Sequence, residues 1–210
     1  MKNILIVGGG SHCLNVIDLL LNEQNIFKPV GIIDSHSKSV LKIPVIGEDK
    51  DLKKLRKTID YAFIGYGIGS NINLEKRQSL FEILLKYKFK IPNLISNRAF
   101  VRSNVKLGIG NFIQAGSVLD TNTKLKNNVV IGHNVVVGHG TNIMSHSVIG
   151  GSANINGGIK VGIKTFIGMN CSILKTIGNN CKISPGVFSS EIIKNNFMVF
   201  NSKPNKIKLS

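Results

Sequence analysis

Three histidines fall close together in the second half of a 210-residue chain: His133, His139 and His146. A neutral imidazole takes up and returns a proton near neutral pH. Placed just past a surface corner, it can deprotonate an amine or hydroxyl that attacks a thioester. Gly157 stands eighteen residues after His139, and in a chain that stacks with that period its backbone N–H meets an acyl oxygen near the histidine. A second group opens the chain, Gly8-Gly9-Gly10-Ser11-His12, with Asp34 further on. Glycines between a strand and a helix let backbone N–H groups approach a phosphate at the helix N-terminus. A dinucleotide fingerprint wants another glycine near position 13, where Cys13 stands, so a mononucleotide phosphate is expected rather than NAD. Asp34 ends an apolar run and can hydrogen-bond a ribose or a base. Each group also has a plainer reading, as solvated loop histidines or strand-end turn residues.

The elements that position the histidines are set by a hexad. An aliphatic residue recurs every sixth position from Val101 through Leu107, Ile113 and Leu119 to Ile173. That period is neither helical nor the alternation of a simple strand. It is the period of a β-helix, in which each unit makes one short strand and one corner, and three units make a coil. The residue two before the aliphatic is mostly small or β-branched, as at Ser117, Thr123, Val129 and Ala153. Glycine follows the aliphatic at Gly108, Gly132, Gly138, Gly150, Gly162 and Gly168, where a left-handed turn is expected. His133 and His139 share one position of the unit, so they lie on successive faces. His146 is off that phase. After Ile173 the phase slips, and Ile177 and Ile183 resume it.

The glycine-rich turn belongs to a different pattern. Lys2–Val7 is an apolar run, His12 to Leu21 carries apolar residues at helical spacing, and Val30–Ile33 and Ala62–Ile64 are further apolar runs. Leu74 to Tyr87 is again helical. This order predicts a small parallel α/β domain over residues 1–95. A β-helix over 96–190 follows, and a polar, basic tail over 191–210 leaves the repeat.

The formal net charge of +16 suits anionic small molecules or a polyanion. The lysines are spread along the chain without the interleaved aromatics of a single-strand binder, so nucleic acid is not expected. No run of eighteen apolar residues marks a membrane span. The first residues read as a strand and a turn, not a secretory leader. Cys13, Cys171 and Cys181 have no metal-ligand spacing and suit reduced, structural thiols in the cytoplasm. No metal is expected.

On the Gly10–His12 turn, the strand ending in Asp34, the hexads, the His139 coil and a late segment from Val199 to Lys206, the whole chain resembles a known group. These are the bacterial hexapeptide-repeat sugar acyltransferases, the nucleotide-linked 4-amino-sugar N-acetyltransferases of bacillosamine, perosamine and viosamine type, with the sialic-acid O-acetyltransferases beside them. The resemblance implies a Rossmann-like α/β domain followed by a left-handed parallel β-helix, assembled as a homotrimer with active sites between subunits. It implies N-acetylation by acetyl-CoA of a 4-amino-4,6-dideoxy sugar linked to dTDP, UDP or GDP, for O-antigen or other surface-glycan synthesis. His139 aligns with the general base, in a direct attack without an acyl-enzyme. Gly10, Ser11, His12, Asp34 and Ser35 align with nucleotide-sugar contacts, and Gly157, Met169 and Pro185 with acetyl-CoA contacts. The chain departs from the group where Gly140 replaces an acidic residue after the base, where Val148 replaces a second histidine, and in its C-terminal motif. Sugar O-acetylation and a non-catalytic β-helix scaffold are the alternatives.

Overall fold

The computed structural model describes residues 1–36, 38–67 and 73–201. Strand β1 (Lys2–Val7) leads through the glycine turn into α1 (Ser11–Asn22), and β2 (Phe27–Ile33), the short β3 (Ser39–Val40) and β4 (Ile43–Gly47) follow. A 3-10 turn at Asp49–Asp51 runs into α2 (Leu52–Leu55), then come β5 (Tyr61–Ile64) and α3 (Leu74–Lys86). The sheet order is β3-β4-β2-β1-β5. It is parallel except for the antiparallel β3–β4 hairpin. The apolar run Ile4–Val7 forms the buried centre of this sheet because it is covered on both faces. Helix α3 starts at Asn73, whose side chain accepts the Lys76 N–H, an ordinary N-cap.

From Leu94 the chain winds into a three-sided prism of two-residue parallel strands. The first face runs from Leu94–Ile95 to Met198–Val199, the second from Phe100–Val101 to Phe188–Ser189, and the third from Lys106–Leu107 to Lys160–Val161. Strands one coil apart pair in register, as Lys106, Lys124 and Asn142 do on the third face. The hexad aliphatics fill the prism, with Ile113, Leu119, Ile131, Val137, Ile149 and Ile167 fully buried. Ser117, Thr123 and Thr141 are buried beside them and spend their hydroxyls on coil carbonyls.

The expected role of the corner glycines is corrected. None of Gly108, Gly132, Gly138, Gly150, Gly162 and Gly168 has a positive φ. The left-handed residues come two positions later in the unit, at Gly116, Asn122, Asn128, Asn134, Gly140 and His146, where asparagine and glycine tolerate that backbone best. The glycines after the aliphatics are needed for close approach instead. A Cβ on Gly132 would lie 2.6 Å from the Gly151 nitrogen, and one on Gly138 2.6 Å from the Gly157 nitrogen.

The tail expectation is also corrected as far as Val199. Ile177 bridges to Val161 and to Ile193, and Lys182–Ile183 pairs with Met198–Val199. Ile193 and Val199 still pack on the prism core, so two apolar anchors hold an otherwise polar stretch in the repeat. The coils here shorten from eighteen to sixteen residues, which accounts for the slip after Ile173. Strand Leu94–Ile95 already pairs with Phe112–Ile113.

The α/β unit sits on the first face. Phe112, Val130, Val148 and Phe166 point outward from that face into the same buried cluster as α1, α3 and the parallel sheet. Lys164 reaches across to Glu75 at 2.9 Å. Coil stacking leads to a sharp expectation. Gly132→Ala, which forces a methyl against backbone, destabilises the chain by about 1–3 kcal/mol, whereas Asn134→Gly at a left-handed position changes stability by no more than about 1 kcal/mol in either direction. Urea denaturation of the two variants measures both.

Candidate functional site

A cleft of about 500 Å³ opens at the C-terminal edge of the parallel sheet. Its wall follows the sheet order, with Glu48, Asp49 and Lys50 after β4, Asp34, Ser35 and His36 after β2, Gly8, Gly10 and Ser11 after β1, and Tyr66, Gly67 and Lys76 beyond β5. Ligands of open α/β sheets bind at this edge. Gly10 precedes α1 in extended backbone, and a Cβ there would meet nothing within 4 Å, so the helix N-terminus faces open space.

Of the residues expected to hold a nucleotide-sugar, Gly10, Ser11, Asp34 and Ser35 line this cleft. Asp34 does so as a brace. One carboxylate oxygen accepts the Gly9 N–H at 2.8 Å and the other the His36 N–H at 2.9 Å, which ties the glycine turn to the loop after β2. Carboxylate oxygens carry further lone pairs, so a ribose hydroxyl can still donate to them. Glu48, Asp49, Lys50, Tyr66 and Lys76 are cleft residues that the sequence reading missed. The signal for the first three was the apolar stretch Ile43–Gly47 just before them, obscured by Pro44.

His12 is placed elsewhere, against expectation. It is 2% exposed and its ring meets Phe112 edge-on, with centroids 5.1 Å apart. Neither ring nitrogen has a partner among the described residues. Burial first, and then the nearby Arg77 charge, bring its pKa down to about 3. Arg77 is itself fully buried and donates from Nη1 to the Tyr66 carbonyl at 2.7 Å. His12 therefore joins the seam between the α/β unit and the prism.

The three histidines of the repeat occupy three different edges. His146 lies between the third and first faces, with Nδ1 3.0 Å from the Asn128 side-chain nitrogen and its ring edge-on to Phe81. Burial lowers its pKa. His133 lies between the first and second faces, on a small cleft of about 50 Å³ shared with Asp18 of α1 and Glu23 just after it. His139 lies exposed between the second and third faces. Its ring sits directly on Gly157: a Cβ on that glycine would be 2.8 Å from Nε2. The neighbouring Gly158 N–H donates to the His139 carbonyl at 2.7 Å, whereas the Gly157 N–H makes no hydrogen bond among the described residues. Gly140 has φ +67°, a left-handed corner where glycine costs least.

Met169 and Pro185 come together, but not with His139. A Cβ on Gly150 would lie 2.7 Å from the Met169 nitrogen, and one on Gly168 2.5 Å from the Pro185 nitrogen. Both therefore stack on the His133 edge, with Met169 58% exposed. The two edges flank the second face, which exposes Phe100, Val136 and Phe188. The late motif from Val199 enters residues 202–210, outside the described residues. Cys13, Cys171 and Cys181 are free and buried, and burial pushes the Cys13 thiol up to about 12. No group of potential metal ligands and no helix long and apolar enough to cross a membrane occurs among the described residues.

The neutral, unpartnered His12 has a measurable consequence. A histidine in the unfolded chain titrates near about 6.5. Between that value and about 3 the unfolded chain holds the proton and the folded one does not. Stability is therefore fully present above about pH 6.5 and is lost as pH falls through this window. Between pH 6.5 and 5 the loss from this residue is about 2 kcal/mol, and urea denaturation of His12→Leu lacks that component.

Residues 3–84 match the PglD N-terminal domain family. No curated protein matches the chain. Among solved structures, PerB from Caulobacter crescentus, in complex with CoA and GDP-perosamine, is 25% identical with a TM-score of 0.86 over 94% of this chain and 93% of that one. The acetyltransferase domain of PglB from Neisseria gonorrhoeae, in complex with acetyl coenzyme A, is 21% identical with a TM-score of 0.82 over 94% and 95%. WeeI from Acinetobacter baumannii is 17% identical with a TM-score of 0.72 over 96% and 97%. Residues 3–84 thus match the PglD N-terminal domain family, the chain continues as a left-handed β-helix, and its resemblance to the hexapeptide-repeat sugar N-acetyltransferases extends over nearly its whole length.

Proposed function

We propose that the chain is an acetyl-CoA-dependent N-acetyltransferase that acts on the 4-amino group of a nucleotide-linked amino sugar, with His139 as general base. The observation that carries this reading is the His139 imidazole, exposed on a prism edge and seated on Gly157, whose N–H is unspent among the described residues. The sugar amine attacks the thioester carbonyl carbon, and His139 accepts the amine proton. The oxyanion of the tetrahedral intermediate meets the Gly157 N–H. The carbon–sulfur bond then breaks, the CoA sulfur leaves, and the imidazolium returns its proton to it. The products are an acetamido sugar and free CoA. The reaction belongs to surface-glycan assembly in the cytoplasm.

The cleft beside Gly10 and Asp34 holds the nucleotide, and the glycine turn with the α1 N-terminus and Lys76 supplies positive charge for its phosphates. The acetyl-CoA contacts divide differently. Met169 and Pro185 offer an exposed apolar rim for the pantetheine arm, but one full face separates them from His139 in the same chain. A second copy can place its Met169 edge opposite the first copy's His139 edge. Phe100, Val136 and Phe188, exposed between the two edges, supply the apolar surface for that contact. This favours the homotrimer.

His133 shares a small cleft with Asp18 and Glu23, so it is the competing base. His139→Ala lowers turnover at least about a hundredfold in a CoA-thiol release assay with a nucleotide-linked 4-amino sugar, and His133→Ala leaves the rate within threefold on the order expected for a bystander. The opposite ranking transfers the role to His133. Val136→Glu buries a charge at the inter-copy contact. Sedimentation should find this variant dissociated and the thiol assay should find it inactive, with the circular dichroism of the prism kept.

A further inference from the structure

We propose that Asp49 and Lys50 select guanine, so that the sugar is carried on GDP. This rests on the reading of the cleft as the nucleotide-sugar site and deepens it. Three loops follow one another along the sheet edge because β1, β2 and β4 are adjacent strands. The glycine turn and α1 N-terminus after β1 take the diphosphate. Asp34, after β2, stands where a ribose hydroxyl is met. The next loop outward, after β4, carries Glu48, Asp49 and Lys50 on the same cleft wall. A base extended from that ribose meets this loop.

The chemistry of the loop is uneven. Glu48 is engaged within the loop: its carboxylate accepts the Asp51 N–H, Asp51 accepts the Glu48 N–H at 2.9 Å, and Lys50 Nζ is 3.1 Å from Glu48. Asp49 makes no side-chain hydrogen bond or ion pair among the described residues. A carboxylate only accepts, and its two oxygens take two adjacent donors. Guanine presents such a pair, N1–H and the 2-amino group, with O6 alongside for an ammonium such as that of Lys50. Uracil and thymine present one N–H between two carbonyl oxygens. Against Asp49 they gain one hydrogen bond and set a carbonyl oxygen against a carboxylate oxygen. Adenine and cytosine each set a ring acceptor against it. The loop therefore rewards guanine and penalises the other bases.

Calorimetry with GDP, UDP and dTDP on the full chain tests the assignment. Wild type is expected to bind GDP at least about tenfold tighter than the other two, the worth of one bidentate base contact. In Asp49→Asn the side-chain amide offers one donor and one acceptor, which matches the O4 and N3–H edge of uracil and thymine and the O6 and N1–H edge of guanine alike. The GDP preference should fall at least tenfold on the same scale, with an unchanged melting temperature because Asp49 is exposed. Equal binding of the three, tighter UDP or dTDP binding, or an Asp49→Asn preference equal to wild type overturns the guanine assignment and leaves the nucleotide-sugar reading standing. Failure of all three to bind overturns both.

Discussion

Every position of interest in the second half of the chain depends on the in-register backbone ladder between coils. The Val118 N–H donates to the Val135 carbonyl, and the Val136 N–H to that of Ala153, at 2.8 and 3.0 Å. Parallel strands only two residues long gain little from any one such bond. Their register is kept because a slip by one residue would turn every hexad aliphatic out to water. The same ladder forbids side chains where one corner rests on the next. Gly138 is without a Cβ because Gly157 lies against it, and this close contact keeps the Gly157 backbone beneath the His139 ring. Fold and candidate site therefore share one constraint, since loosening the corner for stability would also move the His139 ring off its glycine.

The second dependence is the seam between the α/β unit and the first face. Most of it is apolar, built from Phe63, Phe112, Val130, Val148 and Phe166. Into it the chain inserts Arg77, fully buried, with Nε and Nη2 unpartnered among the described residues. Burial pulls its pKa down to about 9, and a charge so placed costs stability. Among the described residues its one acceptor is the Tyr66 carbonyl, which belongs to the cleft wall. The seam thus links the docking of the two units to the shape of the cleft. His12, held neutral beside Arg77, adds no second positive charge to that seam.

Much of this was legible in the sequence because the hexad is a rigid rule. Thirteen aliphatics in phase predict the faces, the eighteen-residue coil and the stacking of Gly157 on His139, and all three are seen. Helices α1 and α3 and strand β1 were equally plain, from uninterrupted periodicity and a glycine stop. The hairpin β3–β4 was hidden, because Pro44 interrupts a short strand, second from the sheet's edge, that is only half buried, and the cleft loop after it went unread with it. His12 misled for a different reason. A histidine after a glycine turn can face a phosphate or turn back into the core, and helical phase alone does not decide between them. The wall of Phe112 does decide, and it comes from a strand a hundred residues away in sequence. The corner glycines were located correctly but for the wrong cause, since the sequence pattern for a left-handed turn and for a backbone contact is the same missing Cβ.

Gly140 is where these constraints meet. The position after His139 is left-handed, and the Gly140 N–H is committed to the Thr121 carbonyl at 2.8 Å. Other edges fill the equivalent position with asparagine, histidine or serine, so the backbone tolerates a side chain there. Glycine removes the nearest group that would orient the imidazole, and no side chain of the described residues hydrogen-bonds His139 in its place. An imidazole without an orienting acceptor is a weaker and less directed base. On the proposed reading, the remaining source of such an acceptor is the copy whose Met169 edge closes the site. The edge geometry and the missing side chain therefore make the same demand. On that reading, a single prism holds the proposed base over a glycine, and a second prism both lines the thioester and aims that base at it.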